Sequence, residues 1–108
     1  MSYQVVISEQ AERDLRDIFE YIAIELAAPE NAAGQLDRLE QAIKGLDTFP
    51  EVGHLFEMEP WKSRKLRMLP VDNYCLFYIP DKTKAVVTVI RIMYKGRDSL
   101  SVLNEERD

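Results

Sequence analysis

Residues 73–94 read NYCLFYIPDKTKAVVTVIRIMY. Two apolar runs flank the polar stretch Pro80-Asp81-Lys82-Thr83-Lys84. Both runs are rich in aromatic and β-branched residues, which suit a pleated, packed surface. The polar stretch carries turn chemistry, so the segment predicts a hairpin with strands over 73–79 and 85–94. Upstream, RKLRML (64–69) alternates basic and apolar residues and predicts a strand of its own.

The N-terminal half changes period. YQVVI (3–7) is β-rich, and Ser8 is a good cap for a helix that follows at once. Ala11, Leu15, Ile18, Ile22 and Leu26 recur every three or four residues, with Glu12, Arg13, Arg16, Asp17 and Glu20 on the other face. That pattern predicts an amphipathic helix over 9–27, its stripe widened by Phe19 and Tyr21. Pro29 closes it and opens a second helix over 30–48, with Leu36, Leu39, Ile43 and Leu46 on one side. Phe49-Pro50 ends this hairpin, and PEVGHLFEMEP (50–60) reads as a loop. SLSVLNEERD at the end reads as a short helix or a frayed terminus. The order β-α-α-β-β-β predicts an α+β domain spanning residues 1–108. In it the N-terminal helical hairpin packs on one face of an antiparallel sheet.

The chain of 108 residues is 46 % hydrophobic, enough for one small core. Its apolar runs fall short of the roughly 18 residues a membrane span needs, and the N-terminus has no basic region ahead of an apolar stretch. A cytoplasmic protein with no membrane partner is expected. One cysteine, Cys75, precludes an intramolecular disulfide, and one histidine, His54, leaves no basis for a zinc site. No metal or other cofactor is expected. Cys75 reads as a core residue and His54 as a loop residue.

Charge is segregated along the chain. Residues 1–60 carry 4 Lys/Arg and 13 Asp/Glu, a balance of −9, and residues 61–97 carry 9 and 2, a balance of +7. Residues 98–108 carry 1 and 4, and the whole chain comes to −5. Polyanion binding depends on the local patch rather than the total, so the basic segment is the candidate binding region. The plainer reading is a solvated basic sheet edge.

Arg64, Lys65, Arg67, Arg91, Tyr94, Lys95 and Arg97 make up the candidate constellation. With helices on one face of the sheet, most of these cations are expected on the other. Several cations and a phenol around one concavity suit a phosphodiester, because arginine binds phosphate oxygens bidentately. A Lys or Tyr whose pKa is lowered by neighbouring charge can move a proton. Trp61, Tyr74 and Tyr78 could stack on bases, although the two tyrosines read better as half-buried strand residues.

AERDLRDIFEYI after the first strand, LDTFPEVG after the second helix, RKLRMLPVDNYCLFY, and VIRIMYKGRD occur in this order. From Tyr3 to Asp98 the chain resembles the RelE/ParE superfamily of toxins from bacterial type II toxin–antitoxin modules. The resemblance implies a small cytoplasmic toxin, neutralised by an antitoxin that is encoded beside it and wraps a segment around it. The RelE branch cleaves mRNA in the ribosomal A site, and the ParE branch poisons DNA gyrase. RelE-type enzymes place an arginine directly after the tyrosine of the third strand, where this chain has Cys75. Arg64, Lys65 and Arg67 fill the basic positions of the second strand, and Tyr94 and Lys95 stand where an Arg or His follows the last one. The long hairpin and FPEVG lean towards ParE.

The expectation is thus a metal-independent, ribosome-dependent mRNA endoribonuclease with ribosome and mRNA as partners. The alternatives are a gyrase inhibitor without catalysis, or an inactive partner-binding member. In the enzyme, the ribose 2′-OH attacks the adjacent phosphate, Lys95 or Tyr94 serves as base or acid, and Arg64, Arg91 and Arg97 stabilise the phosphorane. Lys65, Arg67, Arg91 and Trp61 hold the RNA. Arg91 is also placed to pair with an acidic residue such as Asp72 or Asp98.

Overall fold

A computed structural model describes residues 2–96 and 98–105. Strand β1 spans Gln4–Ile7 and Ser8 caps helix α1, Glu9–Glu20. The Ser8 hydroxyl accepts from the Ala11 N–H at 3.1 Å, satisfying one of the free donors of the first turn. A π-helical turn, Tyr21–Glu25, extends α1. Helix α2, Pro29–Gly45, starts with proline in its first turn, where the missing N–H costs nothing. Then follow β2 (His54–Leu55), β3 (Arg67–Val71), β4 (Tyr74–Asp81), β5 (Val86–Tyr94) and helix α3 (Ser99–Glu105).

The five strands form one sheet in the order β1-β5-β4-β3-β2. The architecture is α+β as expected, but the sheet is mixed. Strand β1 runs parallel to β5, with Ile7 opposite Val89, while the other pairs are antiparallel. A parallel pair needs a long crossover, and the chain from α1 to β4 supplies it. The expected 50–60 loop contains β2, a two-residue edge strand. Arg64 and Lys65 lie in the turn before β3 rather than in the strand, and Lys65 has a positive φ of 65°.

Hydrophobic burial occurs on both faces of the sheet. On the helical side Ala11, Leu39, Ile43 and Leu46 pack on Leu76, Tyr78, Val87, Val89 and Ile92. On the other side Trp61, Leu66, Phe77, Met93 and Leu103 form a second cluster with Cys75. The expected open, cation-bearing face is therefore occupied by the 56–66 segment and α3. Tyr74 through Tyr78 are all buried because successive side chains enter opposite clusters. Among the described residues no helix is long and apolar enough to cross a membrane.

Gly53 sits where the β2 edge meets the core. A Cβ there would lie 2.8 Å from both the Met68 carbonyl oxygen and the Tyr78 hydroxyl. Its N–H donates to that hydroxyl at 2.8 Å. The FPEVG stretch thus needs glycine for close approach.

Candidate functional site

Asp14 lies on the buried side of α1, and its Oδ2 accepts from Arg91 Nε at 2.8 Å. Its Oδ1 accepts from the same guanidinium at 3.0 Å, and Oδ2 also accepts from the Ile92 N–H at 2.9 Å. Both side chains are 8 % exposed. Arg91 pairs with neither Asp72 nor Asp98: it joins helix α1 to β5. A buried guanidinium already in a bidentate pair is poorly placed to meet RNA phosphates.

Local irregularity in β5 precedes this pair. Phe77 is opposite Arg91, yet Tyr78 is opposite Val89, so Ile90 is the extra residue of a bulge. The bulge resets the alternation, with Val89 before it and Ile92 after it both on the helical side.

Asp14 forms part of the wall of a cleft of about 810 Å³ between the helical hairpin and the ends of β4 and β5. Tyr21, Tyr74 and Tyr94 line it together with Ile18, Leu26 and Gln35. The Tyr74 and Tyr94 rings meet edge to face, centroids 5.8 Å apart at 77°. Burial pushes the Tyr74 phenol pKa up, and the neighbouring Tyr21 and Tyr94 add to the rise. Asp17 and Glu30 stand at the cleft, both exposed. Arg38 lines it as well, but its Nε is bound to Asp72 at 2.6 Å. That hydrogen bond, with a second from Gln35, holds the Asp72 carboxyl below its usual range.

A second cleft, about 500 Å³, lies across the sheet and contains Arg64, Lys65, Arg67 and Lys82 beside Glu51 and Asp81. The Arg67 guanidinium donates to the Gly53 carbonyl at 2.7 Å and the Glu51 carbonyl at 3.2 Å. Arg64 lies over the Trp61 ring, 4.6 Å from its centroid. Trp61 itself is 1 % exposed and its indole N–H donates to Asn104 Oδ1, so it has no face free for a base. Arg64, Lys65 and Lys82 are exposed and face solvent here.

The candidate constellation therefore divides between two clefts. Arg67 is opposite Tyr78, while Tyr94 is opposite Tyr74. Four residues along the sheet and two strands across it place Arg67 and Tyr94 about 16 Å apart at Cα. Tyr94 is exposed, and Lys95 is exposed in the turn after β5 with its N–H on the Asn73 carbonyl. Arg97 lies outside the described residues. Cys75 is buried, and burial raises its thiol pKa against the lowering influence of Lys95.

Asp14 was the missed residue with a legible signal. It lies three residues after Ala11 and four before Ile18, inside the apolar stripe, where a charge needs a partner. Tyr21, Asp17 and Glu30 meet only in the folded hairpin.

Solved structures share this fold. The chromosomal ParDE toxin–antitoxin system of P. aeruginosa contains a chain 20 % identical, covering 86 % of this chain and 96 % of that one, with TM-score 0.69. The toxin–antitoxin complex RelBE2 of Mycobacterium tuberculosis gives 22 % identity over 87 % and 99 %, TM-score 0.63. A free-state double mutant of the E. coli toxin RelE gives 17 % identity over 99 % and 98 %, TM-score 0.67. The fold is that of the RelE/ParE toxins. No curated protein matches the sequence closely. The family model described as ParE toxin of type II toxin-antitoxin system, parDE, matches residues 5–99, and the chain belongs to that family.

Proposed function

We propose that this protein is the toxin of a type II toxin–antitoxin pair, that it acts by binding DNA gyrase rather than by cutting RNA, and that a cognate antitoxin neutralises it. One observation carries the choice: Tyr94 lies about 16 Å from Arg67 at Cα, and it lines a different cleft from Arg64, Lys65 and Arg67. In-line attack by a 2′-OH needs the proton-transfer group and the phosphorane-stabilising cations within a few ångströms of one phosphate. The cleft beside Tyr94 presents Asp17 and Glu30, which repel a polyanion. Buried Cys75, in place of the arginine of RelE-type enzymes, supports the same reading.

Purified toxin at stoichiometric amounts is expected to block gyrase supercoiling of relaxed plasmid. In cells, induction is expected to relax or damage DNA before translation falls. An endoribonuclease is the second reading, favoured by the exposed Arg64, Lys65 and Lys82 around one cleft. Cleavage of ribosome-bound mRNA with unaffected gyrase establishes it instead. Growth that continues normally after induction without antitoxin leaves only a partner-binding role.

A further inference from the structure

The turn over residues 49–53 presents large apolar side chains to solvent. Phe49 is 67 % exposed and Val52 56 %. The Val52 N–H donates to the Phe49 carbonyl at 3.2 Å, which keeps both residues in one tight turn. That turn is fixed from beneath. The Arg67 guanidinium donates to the carbonyls of Glu51 and Gly53, and the Tyr78 hydroxyl accepts the Gly53 N–H. The Glu51 carboxylate pairs with Arg67 at 3.7 Å and with Lys82 at 3.2 Å. Apolar side chains on a backbone held this way meet a partner at little ordering cost, which is the property of an interface anchor. Their flank is cationic. Glu51 is neutralised by its two partners, and it lines the cleft in which Arg64 and Lys65 face solvent. Arg64 and Lys65 enter no ion pair among the described residues. An apolar anchor with a basic flank fits an apolar pocket whose rim is acidic.

We infer that Phe49 and Val52 are the anchors by which this chain holds DNA gyrase, entering an apolar pocket on that enzyme whose acidic rim meets Arg64 and Lys65. The inference rests on the gyrase reading and names the surface that such binding requires. The Tyr74–Tyr94 cleft lies outside this contact, because Asp17 and Glu30 repel an acidic rim. A second copy of the chain is the poorer occupant, since two chains of net charge −5 repel each other. Nucleic acid supplies negative charge but no apolar pocket for two side chains of one turn.

The test measures gyrase supercoiling of relaxed plasmid against graded amounts of the parent, Phe49→Ser/Val52→Ser and Arg64→Gln/Lys65→Gln. Ile24→Ser is the control, since it removes an exposed apolar side chain at the tip of the helical hairpin. All these side chains are exposed, so the fold and the urea midpoint are expected to stay close to the parent's. Half inhibition is expected to need roughly tenfold more of Phe49→Ser/Val52→Ser or beyond, and the control is expected within twofold of the parent. Arg64→Gln/Lys65→Gln is expected to flatten the salt dependence of inhibition. A dye on Thr48→Cys marks the turn alone, because Cys75 is buried, and its emission is expected to shift to the blue when gyrase is added. Half inhibition by Phe49→Ser/Val52→Ser within twofold of the parent, an unflattened salt dependence in Arg64→Gln/Lys65→Gln, or an unshifted dye in a preparation that still inhibits overturns the site and leaves the gyrase reading intact. Self-association of the isolated chain that Phe49→Ser/Val52→Ser abolishes assigns the turn to a second copy and overturns it too. A parent protein without effect on gyrase removes the gyrase reading, and this inference with it.

Discussion

Asp14 satisfies four donors at once: two on the Arg91 guanidinium, the Ile92 backbone N–H and the Gln10 side-chain amide. Removing one partner of a buried pair leaves the other charged and desolvated, which typically costs about 3–5 kcal/mol. A domain of this size has a total stability of roughly 5–15 kcal/mol, so the loss is a large share of the total. Asp14→Ala is therefore expected to lower the urea midpoint sharply without changing its slope much. Asp14→Leu combined with Arg91→Met is expected to recover part of the loss, because the apolar pair removes the unpaired buried charge while the Ile92 N–H still lacks its acceptor. If Asp14→Ala unfolds at the parent midpoint, the pair is not the clamp the geometry describes. Asp14 shows how far residue-level reading reaches. Its position inside the apolar stripe was visible in the sequence. Its partner was not, because the bulge at Ile90 and the parallel placement of β1 bring α1 beside Arg91.

Strand β4 shows what was legible at the level of an element. NYCLFYI has no polar alternation, which is the pattern of a strand covered on both faces. Reading only one covered face led to a basic face that does not exist. The second cover is α3 with the 56–66 segment, and Leu103 is its fully buried contact beside Trp61. Leu103→Ala is expected to destabilise by about 2–5 kcal/mol, the usual loss for a buried leucine cut back to alanine. Trp61 is the single tryptophan, so its fluorescence reports this cluster alone. A red shift under conditions where far-ultraviolet dichroism is unchanged is the expected signature. A blue-shifted, unaltered spectrum in that variant contradicts the packing. The helical hairpin, by contrast, was readable from its 3.6-residue period, its serine cap and its proline. The strand pairing that separates Arg67 from Tyr94 depends on the tight Asp72-Asn73 turn, which the sequence reading did not name, since it counted Asn73 as the first residue of a strand.

At the scale of the whole molecule, the two faces of the sheet bury two phenols and a thiol among the described residues. Burial raises the phenol pKa values of Tyr74 and Tyr78 and the thiol pKa of Cys75. Each favours its protonated form in the native state, so above the ordinary thiol and phenol values of about 8.5 and 10 the unfolded chain releases protons first. Stability is fully present below those values and falls as pH rises through them towards the higher native ones. The urea midpoint is thus expected to hold steady from neutrality to about pH 8 and to decline through pH 9–11. Tyr78→Phe is expected to soften that decline. It also costs about 1–3 kcal/mol at pH 7, because the buried Gly53 N–H loses its acceptor. A midpoint that rises between pH 8 and 11 contradicts this account.

Strand β1 stops opposite Val89, yet β5 continues to Tyr94. Over that uncovered length Ser8 donates its hydroxyl to the Ile90 carbonyl, and Asp14 takes the Ile92 N–H. Side chains of the capping residue and of α1 therefore occupy ladder positions that another chain's strand could otherwise fill. A small protein synthesised beside many copies of itself gains from this in solubility, since open strand edges template intermolecular sheets. The same carboxylate that secures the fold also works as a gatekeeper against aggregation.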